Sequence, residues 1–204
     1  MTSSPTQPLP LPAALRLLQR CEFPHKLGLC DALFGRSLAT LRIGWVRTAP
    51  GPVWKLDLAS PTHRWIVYGH YEGTAFWRWL RTRRDAIRTI VDSGANIGQT
   101  VLFFATVAPH SRILAYEPGT DARNWLKECV TVNGLSQVEI HASGLGAAPA
   151  SARLVADGGA GLHGSWNKID DSRGEPIQLV TLDDEISRLG IDTPEPAPPL
   201  SLSA

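Results

Sequence analysis

Charge of one sign, paired cysteines and long apolar runs are all missing from this chain of 204 residues. Lys and Arg number 20 against 19 Asp and Glu, a net charge of +1, so no broad field exists to attract DNA, RNA or an anionic membrane. Nucleic acid is not an expected partner. The longest apolar stretches are interrupted within about ten residues, half of the roughly 20 needed to span a bilayer, so no membrane span is expected. No positive charge precedes the Leu-rich run near the start, and Arg16 cuts that run, which argues against a cleaved secretory signal. Cys21, Cys30 and Cys129 are odd in number and lack the close C-x-x-C spacing of zinc or redox sites. They read as buried thiols of a protein in a reducing, cytoplasmic setting.

What is present describes one globular domain. Hydrophobic residues make up 43% and charged residues 19%, and 204 residues are enough to bury a sizeable core. Half of the 16 prolines lie in two short end segments: Pro5, Pro8, Pro10 and Pro12, then Pro194, Pro196, Pro198 and Pro199. Residues 1–12 therefore read as a flexible leader and 193–204 as a disordered Pro/Ser tail. Between them, 13–88 reads as an N-terminal extension and 89–192 as the main sheet domain. In the extension a short amphipathic helix is predicted over Ala13–Arg20. Two or three antiparallel strands follow between Ser37 and Tyr71, the run Trp65-Ile66-Val67-Tyr68 among them. Thr74–Ile87 has helical spacing.

From Thr89 onward strand and helix alternate. Strands are predicted at Thr89–Asp92, Arg112–Tyr116 and Val138–His141, with helices over Ile97–Val107 and from Thr120 or Asp121 to Val132, the latter stopped by Asn133-Gly134. Further strands are expected at Ala152–Ala156 and Ile177–Thr181, and a helix over Asp183–Leu189. Regular alternation implies right-handed crossovers and a parallel sheet covered by helices, a Rossmann-like α/β fold.

Ligands of such sheets sit outside the carboxyl ends of the strands. In TIVDSGANIG the first strand delivers Asp92, and Gly94 and Gly98 let the backbone turn and approach a ligand closely. Asn96 brings a donor and an acceptor. A dinucleotide fingerprint would read G-x-G-x-x-G, its second glycine making room for pyrophosphate. Asn96 stands there instead, which favours a nucleoside without phosphates over NAD. Glu117, ending the next strand, is placed to accept both ribose hydroxyl protons.

The runs VDSGANIGQTVLFFA and ILAYEPGTDARNWLKECVTVNGLSQVEIHASGLG, with WIVYGHYEG upstream and LVTLDDEI downstream, resemble the FkbM family of S-adenosylmethionine-dependent methyltransferases over roughly Trp65 to Leu189. The resemblance implies a class I methyltransferase fold, S-adenosylmethionine as cofactor, and methyl transfer to a hydroxyl of a sugar, polyketide or related small-molecule acceptor. It also implies that Asp92, Gly94, Asn96 and Gly98 line the methionine end, that Glu117 holds the ribose, and that Ser143 lies near the adenine. Glu72 of Tyr71-Glu72 matches a family signature and is expected either to close over the methionine end or to cap a turn.

No catalytic base is singled out among His70, His141 and His163. No metal is expected, since Asp170-Asp171 and Asp183-Asp184 read as caps and solvated charges. The tryptophans that precede the sheet read as core, and the arginines of 78–88 as a solvated helix face. The family pattern continues with an acidic strand motif where this chain has Ile191-Asp192-Thr193-Pro194. The sheet is accordingly expected to be incomplete in its C-terminal half, leaving the first strand as an open edge that a homo-oligomer or another partner would cover. The alternative to an active methyltransferase is a non-catalytic shortened remnant, or a cofactor- or partner-binding module.

Overall fold

A computed structural model describes residues 7–21, 23–48, 51–69, 75–156, 167–170 and 172–191. Seven helices and nine strands follow one another among these residues: α1 (Ala13–Gln19), α2 (Lys26–Thr40), β1 (Ile43–Arg47), β2 (Val53–Asp57), α3 (Pro61–Val67), α4 (Ala75–Arg83), β3 (Thr89–Ser93), α5 (Gln99–Val107), β4 (Arg112–Tyr116), α6 (Thr120–Val132), β5 (Val138–His141), β6 (Ser143–Leu145), β7 (Ala150–Ala156), β8 (Asn167–Asp170), β9 (Glu175–Val180) and α7 (Leu182–Leu189).

The β-branched run Thr89-Ile90-Val91 opens a parallel three-stranded sheet in the order β3-β4-β5. Its register sets Asp92 beside Ala115 and Ser93 beside Tyr116, and Tyr116 beside His141. Parallel strands need long crossovers, and the helices α5 and α6 supply them. β4 is buried along four of its five residues, whereas β3 is partly exposed throughout. Among the described residues β3 pairs with β4 alone and forms the sheet's edge. After β5 the chain enters a second sheet, β6-β9-β7-β8, in which β9 runs parallel to β6 and antiparallel to β7.

The residues before β3 are built into the same core. Leu15, Cys30, Leu38, Val46, Trp54 and Leu56 join Val101, Leu102, Phe103, Ile113, Ala115 and Leu126 in one buried cluster. The β1-β2 hairpin lies against α5 and α6: Trp54 stands 5.4 Å from Phe103, ring centre to ring centre. Asn133, which ends α6, binds Val53 as a neighbouring strand would. Its Oδ1 accepts from the Val53 N–H at 2.8 Å and its Nδ2 donates to the Val53 carbonyl at 2.7 Å. Residues 7–12 of the proline-rich start also lie against this body, for the Leu9 N–H donates to the Trp45 carbonyl at 2.7 Å and Leu11 is buried.

The expectation for Trp65–Tyr68 is corrected: Trp65, Ile66 and Val67 belong to helix α3, not to a strand. The β-rich side chains mislead there, and the stronger signal is Ser60-Pro61, with Pro in the first helical turn where a missing N–H costs nothing. α3 is held by a polar cluster. Arg64 Nε and Nη2 donate to the two Asp31 oxygens at 2.7 and 3.3 Å, Arg64 Nη1 reaches the Leu58 and Ala59 carbonyls, and the Tyr68 hydroxyl donates to Asp31 at 2.9 Å. The Arg64 guanidinium holds the Asp31 carboxyl below its ordinary pKa. The residues of α2, β6 and β8 also form elements that periodicity does not reveal.

Candidate functional site

The segment Ser93–Gly98 forms the mouth of the β3–α5 crossover, and its backbone explains its composition. Gly94 at φ +76°, Asn96 at +49° and Gly98 at +95° all lie in the left-handed, positive-φ region of backbone space, where glycine is free and asparagine tolerated. The N–H groups of Gly94 and Ala95 both donate to the Tyr116 carbonyl at 3.0 Å, so the loop folds across the end of β4.

Glu117 lies directly beyond that carbonyl and ties the two strand ends together. Its Oε2 accepts from the Asn96 N–H at 2.8 Å and its Oε1 from the Gly119 N–H at 2.8 Å. Arg123 supports the turn by donating to the carbonyls of Glu117 and Pro118 at 2.9 and 2.6 Å. Glu117 is 5% exposed. Burial pushes its pKa up, against the opposing pull of the two amide donors and Arg123. A carboxylate oxygen has two lone-pair directions and each oxygen here has one satisfied by backbone, leaving one on each to accept a hydroxyl proton.

Asp92, at the same sheet end, accepts a hydrogen bond from the Thr100 hydroxyl in the first turn of α5. Burial raises its pKa as well, with the Thr100 bond acting in the opposite sense. Thr100 is a site neighbour that sequence reasoning passes over; its signal is position alone, on the first turn after the glycine loop.

The two glycines of the loop differ in what they allow. A Cβ built on Gly94 would meet nothing within 4 Å, and Gly94 is exposed, so this position is open for a ligand. A Cβ on Gly98 would stand 2.6 Å from Leu126 Cδ1 and 3.1 Å from Leu102 Cδ1. Gly98 is therefore needed for the close approach of α5 and α6, while its backbone still lies in the loop. Ser143 opens β6, two residues past the end of β5, where the chain passes from one sheet to the other. Glu72, with His70 and His163, falls outside the described residues. The structure thus brings Asp92, Gly94, Asn96, Gly98 and Glu117 to one end of the parallel sheet and places Ser143 past the third strand.

His141 lies within another cluster. Its ring stacks on Tyr116 at 4.6 Å, and the Tyr116 hydroxyl donates to Glu185 of α7 at 2.7 Å. Arg188 grips the same carboxylate at 2.8 and 2.5 Å. The His141 Nε2 is buried with no hydrogen-bond partner among the described residues, and burial pulls the imidazole pKa down. A surface cavity of about 250 Å³ lined by Pro8, Leu9, Arg16, Arg47 and Thr48 shares no residue with the Asp92–Glu117 loop pair. Among the described residues no three His, Cys, Asp or Glu side chains gather so as to hold a metal ion, and no described helix is long and apolar enough to cross a membrane.

The described residues form an α/β body with a parallel three-stranded sheet, and two loops, one glycine-turned and one acidic, meet at its carboxyl end. No family model matches the chain. Over 66 residues it is 37% identical to Methyltransferase 1 of Beauveria bassiana (strain ARSEF 2860), a stretch that makes up 32% of this chain and 26% of that protein. The chain thus spans about a quarter of the length of the curated relative it matches. Among solved structures, a SAM-dependent methyltransferase from Agrobacterium tumefaciens overlaps it with a TM-score of 0.36 at 14% identity, covering 50% of this chain and 33% of the other. Coclaurine N-methyltransferase bound to N-methylheliamine and SAH overlaps with a TM-score of 0.31 at 14% identity, covering 66% of this chain and 44% of the other.

Proposed function

We propose that the protein is an S-adenosylmethionine-dependent methyltransferase of the class I kind, similar to the FkbM family, and that it methylates a hydroxyl of a sugar, polyketide or related small molecule. The observation that carries the reading is Glu117: a buried carboxylate at the end of the second parallel strand, fixed by the Asn96 and Gly119 amides and still able to accept from two vicinal hydroxyls. The local identity to a methyltransferase supports it.

In this reading Glu117 binds the ribose, and Asp92 with the Gly94–Asn96 backbone receives the ammonium-bearing methionine end. Gly98 sets the helix start, Ser143 flanks the adenine and Glu72 closes over the methionine end. The cofactor supplies an electrophilic methyl on a sulfonium. The chain's part is to hold an acceptor oxygen in line with that methyl and exclude water, since orientation alone is worth several kcal/mol. Burial beneath the loop keeps Glu117 fixed and spares reorganisation. His141 is turned toward Tyr116 and α7, so it serves packing rather than proton transfer. Domain roles follow the same reading: 13–88 supports a cofactor-binding region at 89–192, in the cytoplasm.

A cofactor-binding module without catalysis is the second reading, favoured by the partly exposed β3 edge beside the site. Methyl transfer from labelled cofactor into a panel of hydroxylated acceptors separates the two. Label in an acceptor, lost in Glu117→Ala, supports the enzyme; saturable binding with no transfer across the panel supports the module.

A further inference from the structure

Thr100 stands in the first turn of α5 and Asp92 near the carboxyl end of β3. The loop between them turns on three residues of positive φ, Gly94, Asn96 and Gly98, and brings the Thr100 hydroxyl back to donate to Asp92 Oδ2. Where that proton goes is informative. A threonine in a helix can return its proton to a carbonyl three or four residues back, as Thr82, Thr106 and Thr131 do toward Trp79, Leu102 and Lys127. Thr100 sends its proton off the helix, to a carboxylate. The bond is not a helix cap either: Gly98 holds the cap position, and a capping side chain accepts from a backbone N–H, whereas Thr100 donates.

We propose that Thr100 is a positioning residue for the cofactor, its hydroxyl aiming the Asp92 carboxylate at the ammonium of the methionine end. This deepens the reading of Asp92 given above and rests on it.

The chemistry of the pair suits that task. An aspartate carboxylate turns broadly about its last torsion, so a ligand meeting a free one would have to freeze it on binding. One bond from a β-branched side chain, itself stiff at χ1, fixes the group beforehand. Each carboxylate oxygen has two lone-pair directions, so a single donor takes one and leaves the others for a ligand. Charge matters too. Burial favours the neutral acid at Asp92 and the Thr100 bond opposes it, which keeps the group fit to hold a cation. Being neutral, the hydroxyl gives this support without competing with an ammonium, as a Lys or Arg in its place would.

Titration calorimetry of the full chain with S-adenosylhomocysteine and with methylthioadenosine tests this. Both are thioether nucleosides, and the first alone carries the ammonium-bearing end. In Thr100→Val the S-adenosylhomocysteine affinity should fall about 10-fold and the methylthioadenosine affinity by less than about 2-fold. A bond that merely fastened α5 to β3 would move both alike. Thr100→Ala, which also lacks the donor, should match Thr100→Val, and Thr100→Ser should restore most of the affinity; circular dichroism checks that each variant folds. Equal losses for the two compounds, an unchanged S-adenosylhomocysteine affinity in the variants without the donor, or no recovery in Thr100→Ser overturns the positioning role and leaves the cofactor reading in place. Binding of neither compound to the unsubstituted protein overturns the cofactor reading, and this role with it.

Discussion

Glu117 combines two demands that usually conflict, being buried and remaining available as an acceptor. Burial raises its pKa, and the Asn96 and Gly119 amides recover part of that cost. Glu117→Gln keeps the size but turns one acceptor into a donor aimed at a backbone N–H, so cofactor affinity should fall by about 2 kcal/mol, roughly 30-fold. Titration calorimetry against the unsubstituted protein measures this. Gly98 is different in kind. Gly98→Ala meets both a φ of +95° and a methyl 2.6 Å from Leu126, so the fold should lose about 1–3 kcal/mol, read as a lower denaturation midpoint. Both residues stand out in the sequence, because acid and glycine at strand ends are positional signals. That Gly98 answers to Leu126 is a long-range fact, and nothing local to Gly98 announces it.

Among the elements, α7 illustrates how a helix is fastened to a sheet by charge. The Thr181 hydroxyl caps it by accepting from the Asp184 N–H at 3.1 Å, and three acids in the first turn suit the helix dipole. Glu185 is its anchor. Arg188 and the Tyr116 hydroxyl hold the Glu185 pKa down to about 2, while burial pulls His141 below its ordinary value; Arg112 and Glu139, paired at 2.6 Å, face the same imidazole. Both shifts have one sign. A depressed carboxylate gives stability that is complete above about pH 4.5 and lost as pH falls toward 2, and a depressed imidazole gives stability lost as pH falls below about 6.5. Asp92 and Glu117, raised by burial, act in the opposite sense over the same range, so the test is a difference: between pH 7 and pH 5 the urea midpoint of the unsubstituted protein should fall further than that of His141→Gln. Parallel profiles for the two proteins would contradict this.

Legibility differs from element to element along this chain. β4, α6 and β5 are legible in the sequence because short apolar runs, an amphipathic stretch and the stop at Asn133-Gly134 agree with one another. α2 carries Gly28 and Gly35 and has only a weak apolar stripe, so its sequence does not announce a helix. It is sustained by tertiary partners such as Arg64 at Asp31. α3 looks like a strand for the reason that its side chains are those of a buried surface.

At the scale of the whole molecule, composition foretold one globular body but not that the first third of the chain is bound into the sheet's core. Trp54 on Phe103, Asn133 on Val53 and the shared cluster from Leu15 to Cys129 join the two. Unfolding should accordingly be a single transition, with tryptophan fluorescence and far-ultraviolet circular dichroism superimposing; two separated midpoints would show that the N-terminal region melts alone. The parallel sheet itself was predictable from alternation, whereas the second sheet was only partly so, since β6 and β8 are three and four residues long.

The central claim is that the loops after β3 and β4 form a nucleoside site for S-adenosylmethionine centred on Glu117. Isothermal calorimetry of the folded full chain against S-adenosylmethionine tests it most directly. A saturable 1:1 isotherm that weakens roughly 30-fold in Glu117→Gln is the predicted result. No heat at millimolar ligand, or an affinity that Glu117→Gln leaves unchanged, would contradict it.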